Sequence, residues 1–287
     1  MISLGAAMLR PVKEQHSKEE VLALMEDLVR TWFDRKFEDL TEPQAYAIPL
    51  IHRGENVIVS SPTGSGKTLT AFLSIINELY HLQRADQLED RIYCLYISPL
   101  KALANDINKN LKEPLREMEE LARELGIDPP RIRVAVRSGD TSPSERQRQS
   151  RKPPHIFITT PESLAIVLTT PVFSRRFKDV QWVIVDEILD VCSNKRGVHL
   201  SLSLERLREH VGRNSIRIGL SATIAPMEEV AKFLAGYEGG QLRPMNVVKV
   251  DTRKRLDMRI LCPVRDMTAL PFEVVNSRMY DLLKGMI

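Results

Sequence analysis

The chain has only three cysteines among its 287 residues, Cys94, Cys192 and Cys262. They are scattered and form no C-x-x-C pair, which excludes a disulfide framework and a cysteine-held zinc site and points to a reducing compartment. The six histidines show no ligand spacing. No apolar run approaches the length of a membrane span. The N-terminal stretch from Met1 to Leu9 lacks a basic leader and a full apolar core, so it makes a poor signal peptide. The chain therefore reads as cytoplasmic, with no membrane partner. A net charge of only +3 does not by itself announce a nucleic-acid binder, so local clusters must carry any such argument. No internal repeat or low-complexity tract is present. What remains, at 43% hydrophobic and 28% charged, is an ordinary globular composition with enough apolar residues for a substantial core.

One stretch stands out, Ser61-Pro62-Thr63-Gly64-Ser65-Gly66-Lys67-Thr68. The apolar run 56–60 before it reads as a buried parallel strand, and 69–79 after it reads as a helix. Strand, glycine-rich loop, Gly-Lys-Thr and helix form the setting a phosphate-binding P-loop needs. Gly64 and Gly66 let the backbone curl and turn its N–H groups inward, with Thr63 before them and Ser65 between them. The following helix adds the positive end of its dipole. Lys67 is placed to reach the β- and γ-phosphates, and Thr68 to offer a hydroxyl to Mg²⁺. Ser61 stands where Gly or Ala is usual.

Along the chain, Ser17-x-x-Glu20 is a capping box that opens an amphipathic helix through Val21, Leu22, Leu24, Met25 and Leu28. Pro43 suits the first turn of a second helix, which Gly54 ends. Further strands are expected at 92–98, 132–136, 156–159, 182–185 and 216–220, separated by helical patterns. Each strand ends in small, polar or charged residues. This predicts an α/β fold, a mostly parallel sheet with helices on both faces and binding groups at the carboxyl ends of the strands. Beyond it, Leu256, Met258, Ile260, Cys262 and Val264 alternate as a half-buried strand does. From Pro271 a helical pattern runs to the end without a cap, so the chain looks cut off rather than finished.

The run Val183-Ile184-Val185-Asp186-Glu187 supplies the element a P-loop requires for hydrolysis. Asp186 is the candidate to hold Mg²⁺, and Glu187 to orient and deprotonate the attacking water. An Asp-Glu pair alone is usually a solvated strand end. Directly after an apolar strand and downstream of a P-loop, it points to nucleoside triphosphate hydrolysis.

The remaining strand ends resemble the superfamily 2 helicases, and the large helicase-related (Lhr) branch in particular. The matching strings, in family order, are Leu-Thr-Glu-Pro-Gln at 40–44 (Q motif), the P-loop (motif I) and Pro-Leu-Lys-Ala-Leu at 99–103 (motif Ia). Thr-Thr-Pro-Glu-Ser-Leu at 159–164 (motif Ib), Asp-Glu-Ile-Leu at 186–189 (motif II) and Ser-Ala-Thr at 221–223 (motif III) follow. Lys195-Arg196-Gly197, followed by 200–207, resembles the Lhr branch.

The resemblance implies a RecA-like domain over 36–245, preceded by a helical extension over 1–35. It implies a linker strand and the start of a second domain over 246–287. It implies ATP and Mg²⁺ as ligands. Gln44 would read the adenine edge, and Phe37 or Phe33 would stack on the base. Pro99, Lys101, Ser138, Gly139, Asp140, Thr160, Pro161 and Glu162 would grip one nucleic-acid strand by its backbone, with DNA favoured over RNA by the resemblance. Arg137, Arg146 and Arg148 either add charge to that grip or belong to a solvated face. Ser221 and Thr223 would couple nucleotide state to grip, together with position 189, where the resembling branch has His and this chain has Leu189. The later helicase motifs of a second RecA-like domain, including its arginine fingers, are not among these residues. The implied activity is that of an ATP-dependent helicase motor, weak without that second domain. The alternatives are an ATP-dependent nucleic-acid binding module or a P-loop ATPase that does not unwind.

Overall fold

The structure, a computed structural model, describes residues 9–99, 107–222, 226–250, 261–264, 266 and 269–285. Lys101 with most of motif Ia, Thr223, and most of the alternating run 256–264 lie outside the described residues.

The strands are β1 (Leu9–Pro11), β2 (Val57–Ser60), β3 (Cys94–Ile97), β4 (Val134–Arg137), β5 (Ile156–Thr159), β6 (Trp182–Val185) and β7 (Ile216–Ser221), then β8 (Tyr237–Glu238), β9 (Gln241–Leu242) and β10 (Met245–Lys249). β8 and β9 form a small antiparallel hairpin. The others form one eight-stranded sheet in the order β1-β10-β2-β7-β6-β3-β5-β4. Every neighbouring pair in it is parallel. β2, β3, β5 and β6 are buried along their whole length, as strands covered on both faces must be.

The helices are α1 (Lys18–Ala23), α2 (Asp27–Lys36), α3 (Glu42–His52), α4 (Lys67–Arg84), α5 (Glu113–Leu125), α6 (Pro143–Arg151), α7 (Pro161–Thr169), α8 (Pro171–Ser174), α9 (Ile188–Cys192), α10 (Lys195–Val211), α11 (Met227–Ala235) and α12 (Phe272–Lys284). Alternate strand residues point to opposite faces. Val57, Val59 and Tyr96 meet the apolar residues of α1 to α5. Ile58, Leu95 and Ile97 meet those of α7, α9, α10 and α11. Helices thus cover both faces of the parallel sheet, as the sequence predicts. No helix among the described residues is long and apolar enough to cross a membrane.

Three sequence expectations change. The N-terminal helix is two helices. The capping box of Ser17 and Glu20 is present, but α1 stops at Ala23 and α2 begins at Asp27. The break is held by Asn77 of α4. The Glu26 N–H donates to Asn77 Oδ1 at 2.7 Å, and Asn77 Nδ2 donates to the Leu24 carbonyl at 3.2 Å. A side chain from a distant helix thus satisfies backbone groups that a continuous helix would have paired itself.

Of the expected extension over 1–35, the described residues from 9 onward are not a separate body either. Val21, Leu28, Val29, Trp32 and Phe33 belong to the same core as the sheet. Nor does the domain end at 245, because β10 adds a strand beside β2 and the compact unit continues to Asp251. Residues 252–287 form a second unit. Its helix, α12, buries none of its residues.

Candidate active site

Strand register sets the site. Ser60 pairs with Ser221, Val185 with Gly219, Ile97 with Val185, and Thr159 with both Ile97 and Arg137. The carboxyl ends of β2, β7, β6, β3, β5 and β4 therefore lie level. The P-loop, Ser221, Asp186-Glu187, Ser98-Pro99, Thr160 and Ser138 follow those ends and share one edge of the sheet.

In the P-loop, Gly64 and Gly66 have φ of +80° and +87°, a left-handed backbone that favours glycine. A β-carbon on Gly66 would sit 3.1 Å from Thr41 Oγ1 and 3.6 Å from Gln44 Nε2. The Q-motif turn therefore packs directly against the loop. Gln44 is 2% exposed, and its Oε1 accepts the Thr41 N–H at 2.8 Å in a capping box. Ser61 has a role of its own. Its N–H donates to the Ser221 carbonyl at 3.1 Å, and its hydroxyl lies 2.7 Å from that of Ser65, bracing the loop. Lys67 opens α4 and is 5% exposed.

A cavity of about 370 Å³ rests on this loop. Thr63, Gly64, Gly66, Lys67 and Thr68 line its base. Trp32, Phe37 and Gln44 form one side, Lys109, Asn110 and Glu113 another, and Glu187 also reaches it. Its size is that of a small-molecule site. Of the two candidate aromatics, Phe37 lines the cavity, whereas Phe33 is fully buried in the core. Phe37 is held edge-on to Trp32 at 5.7 Å and tilted on Phe33 at 4.9 Å. Glu117 of α5 clamps this wall by accepting from Trp32 Nε1 at 2.8 Å and from Lys36 Nζ at 2.7 Å. Burial works to raise the Glu117 pKa, but the hydrogen bonds from Lys36 and Trp32, together with the Lys36 and Arg116 charges, hold the carboxyl below its usual value.

Trp32, Lys109, Asn110 and Glu113 were not picked out from the sequence. They come from elements remote from the P-loop string. Lys109 and Asn110 sit in a π-helical turn, Asn108–Lys112, of a kind often found at functional sites.

Asp186 ends β6 and is 1% exposed. The Glu187 N–H donates to Asp186 Oδ1 at 2.9 Å, and Glu187 itself sits in a left-handed turn (φ +46°). Tyr96 of β3, also absent from the sequence reading, donates its hydroxyl to Asp186 Oδ2. A non-glycine residue at positive φ is strained, and such strain gathers at functional sites. A carboxylate (Asp186) and a hydroxyl (Thr68) are the hard oxygen donors Mg²⁺ takes, so this donor set fits that ion.

The strand-end face is partly committed internally. Thr160 caps α7, accepting the Ser163 N–H at 3.3 Å, and it is buried. Its hydroxyl therefore serves the helix, while the N-terminal end of α7, with Pro161 and Glu162, stands at the edge. Glu162 pairs with Arg196 at the start of α10. Ser138, Gly139 and Asp140 form a tight turn in which Asp140 N–H donates to Ser138 Oγ at 3.3 Å. Arg146 donates to the carbonyls of Thr141 and Gly139 at 2.8 and 2.9 Å, so it braces that turn. Arg148 pairs with Glu145, and Arg137 stacks over Phe173 at 4.5 Å. Arg146 and Arg137 thus have partners within the fold, and Arg148 stands on an exposed face.

Leu189 lies half-buried against the apolar cluster between the sheet and α10. Gly197 brings α10 close to α9. A β-carbon there would lie 2.7 Å from the Cys192 Cα and the Val191 carbonyl, so only glycine permits this crossing.

A parallel sheet with a P-loop after β2, an acidic pair at the end of β6, one strand removed across β7, and a cavity lined by both defines a RecA-like nucleotide-binding domain. Residues 41–232 match the family model of the DEAD/DEAH box helicases, and the chain belongs to that family. Among curated relatives it is 53% identical over 276 residues to the ATP-dependent helicase Lhr-Core of Methanocaldococcus jannaschii, covering 96% of this chain and 32% of the relative. It is 42% identical over 262 residues to the Lhr helicase/probable uracil glycosylase of Mycolicibacterium smegmatis, covering 90% of this chain and 17% of that protein. Among solved structures, Mycobacterium smegmatis helicase Lhr bound to ssDNA and AMP-PNP superposes with a TM-score of 0.77 at 42% identity, covering 92% of this chain and 33% of that one. The chain spans a third or less of the length of these relatives.

Proposed function

We propose that this chain is the ATP-binding half of a helicase motor that moves on single-stranded DNA. The observation that carries the reading is the level register of the strand ends, which sets the P-loop, the Asp-Glu pair and the strand-end turns along one edge. The likeness to an Lhr helicase bound to ssDNA and AMP-PNP supports DNA over RNA and ATP as the nucleotide.

In this reading Phe37 stacks on adenine and Gln44 reads its edge. The backbone from Thr63 to Gly66 cradles the phosphates, and Lys67 neutralises the β- and γ-oxygens. Thr68 and Asp186 hold Mg²⁺, which offsets charge on the phosphates when bound. Glu187 takes a proton from the attacking water. Pro99, Lys101, the Ser138–Asp140 turn and the α7 N-terminus with Thr160, Pro161 and Glu162 grip the DNA backbone without reading sequence.

Ser221 links the two sites, since its carbonyl receives the Ser61 N–H of the P-loop. Thr223 and Leu189 complete the coupling. Residues 252–287 lead toward a second RecA-like domain, which supplies the arginine fingers and closes over the nucleotide. The motor works in the cytoplasm. Leu189 favours a second reading, an ATP-dependent binding module that does not unwind, because leucine offers no polar bridge to motif III.

Fluorescence anisotropy of a labelled single-stranded oligonucleotide tests the proposal, with DNA and RNA of one sequence and with or without Mg·AMP-PNP. DNA binding that tightens with the nucleotide is the expected result. Binding indifferent to the nucleotide, or stronger for RNA, would contradict it.

A further inference from the structure

Tyr96 lies in the middle of the sheet, where its neighbours are apolar. It is fully buried on the face that packs against α4. It pairs in register with Ile184, so its side chain shares a face with Ile184 and with Asp186 two residues further on. A phenylalanine would fill the same space. The added hydroxyl donates to Asp186 Oδ2, while Oδ1 receives the Glu187 N–H at 2.9 Å. Both oxygens of the carboxylate are thus oriented, and turning it would break one bond or the other. Carboxylate oxygens accept more than one bond, so this hold is compatible with a hydrated cation. The Tyr96 ring also stacks on Phe72 of α4, with centroids 4.8 Å apart and planes 27° from parallel. α4 is the helix that begins with Lys67 and Thr68.

We propose that Tyr96 is a positioning residue that fixes the Asp186 carboxylate toward Mg²⁺ and, through Phe72, ties it to the helix that carries Lys67 and Thr68. Outer partners of this kind are worth about 10–100-fold in metal affinity. The proposal rests on the reading of Asp186 as a Mg²⁺ residue.

The test is Tyr96→Phe in this chain, with binding of a fluorescent non-hydrolysable ATP analogue titrated against Mg²⁺. The half-saturating Mg²⁺ concentration is expected to rise about tenfold. Analogue binding in EDTA should stay at the wild-type level, a separation that a general loss of packing would not produce. Phe72→Leu keeps the hydroxyl and loosens the ring beneath it, and a smaller rise is expected. This second variant carries the test if Tyr96→Phe fails to fold. A half-saturating Mg²⁺ concentration that stays at the wild-type value would overturn the proposal while leaving the Asp186 reading intact. Wild-type binding that ignores Mg²⁺, or an Asp186→Ala variant with unchanged Mg²⁺ dependence, would overturn the Asp186 reading and this inference with it.

Discussion

Replacing Gly66 with alanine should damage the nucleotide site in two separable ways. The first is conformational. Gly66 holds φ at +87°, where an L-residue costs about 1–2 kcal/mol. The second is steric. The new β-carbon would lie 3.1 Å from Thr41 Oγ1 and 3.4 Å from its Cγ2. Thr41 cannot retreat freely, because it caps α3 in a reciprocal bond with Gln44. Together these terms come to about 2 kcal/mol, or about 30-fold in an equilibrium constant. If the loop relaxes when empty, the loss falls on nucleotide affinity. If it cannot relax, it falls on stability, as a drop of about 4–8 °C in Tm. Gly64→Ala is the internal control, since φ is +80° but, among the described residues and apart from its chain neighbours, no atom lies within 4 Å of its β-carbon. It should pay the backbone cost alone, about tenfold. Fluorescent nucleotide titration and calorimetry on the same samples measure both channels. Affinity within about twofold and an unchanged Tm for Gly66→Ala would refute the reasoning.

Glu187→Gln should abolish residual ATP hydrolysis while nucleotide binding persists, because it removes the base and keeps the shape; hydrolysis at the wild-type rate would reassign the base. His155 is buried, with Nδ1 accepting the Arg133 N–H at 3.2 Å. Burial first, then the Arg133 charge, push its pKa down to about 4. Since the folded value lies below the unfolded one of about 6.5, protonation favours the unfolded chain. Stability is therefore full above about pH 6.5 and falls by about 2–3 kcal/mol toward pH 4. His155→Gln should flatten the Tm profile between about pH 7 and 5; an unchanged slope would exclude His155 as its source. Asn77→Ala leaves the Glu26 N–H and the Leu24 carbonyl without their partner at the α1–α2 break. It should cost about 2 kcal/mol, or about 4–8 °C in Tm, and spare nucleotide affinity.

The elements most legible in the sequence were those whose burial is two-sided. β5 and β6 read as short apolar runs because both faces are covered, and their expected bounds match the structure. The loop between β2 and α4 was legible because its glycines answer to a backbone requirement. What escaped was decided by partners distant in sequence. Asn77 breaks the first helix from across the fold. β10 follows Pro244 beyond the helical patterns, and its pairing with β1 and β2 makes it part of the sheet. The cavity wall at Lys109 and Asn110 meets the P-loop only in three dimensions. Tyr96 looked like one more apolar strand residue, because nothing local shows that its hydroxyl meets Asp186. Thr160 and Arg146 matched a polar-contact pattern, yet each also has an internal task, one capping α7 and the other bracing the turn at Gly139.

The central claim is that the cavity over residues 63–68 is an ATP site organised by Lys67. Isothermal titration of Mg·AMP-PNP into this chain, wild type against Lys67→Ala, tests it most directly. One saturable site, weakened at least about tenfold in the variant, is the predicted result. No saturable binding by the wild type, or equal affinity in the two proteins, would contradict it.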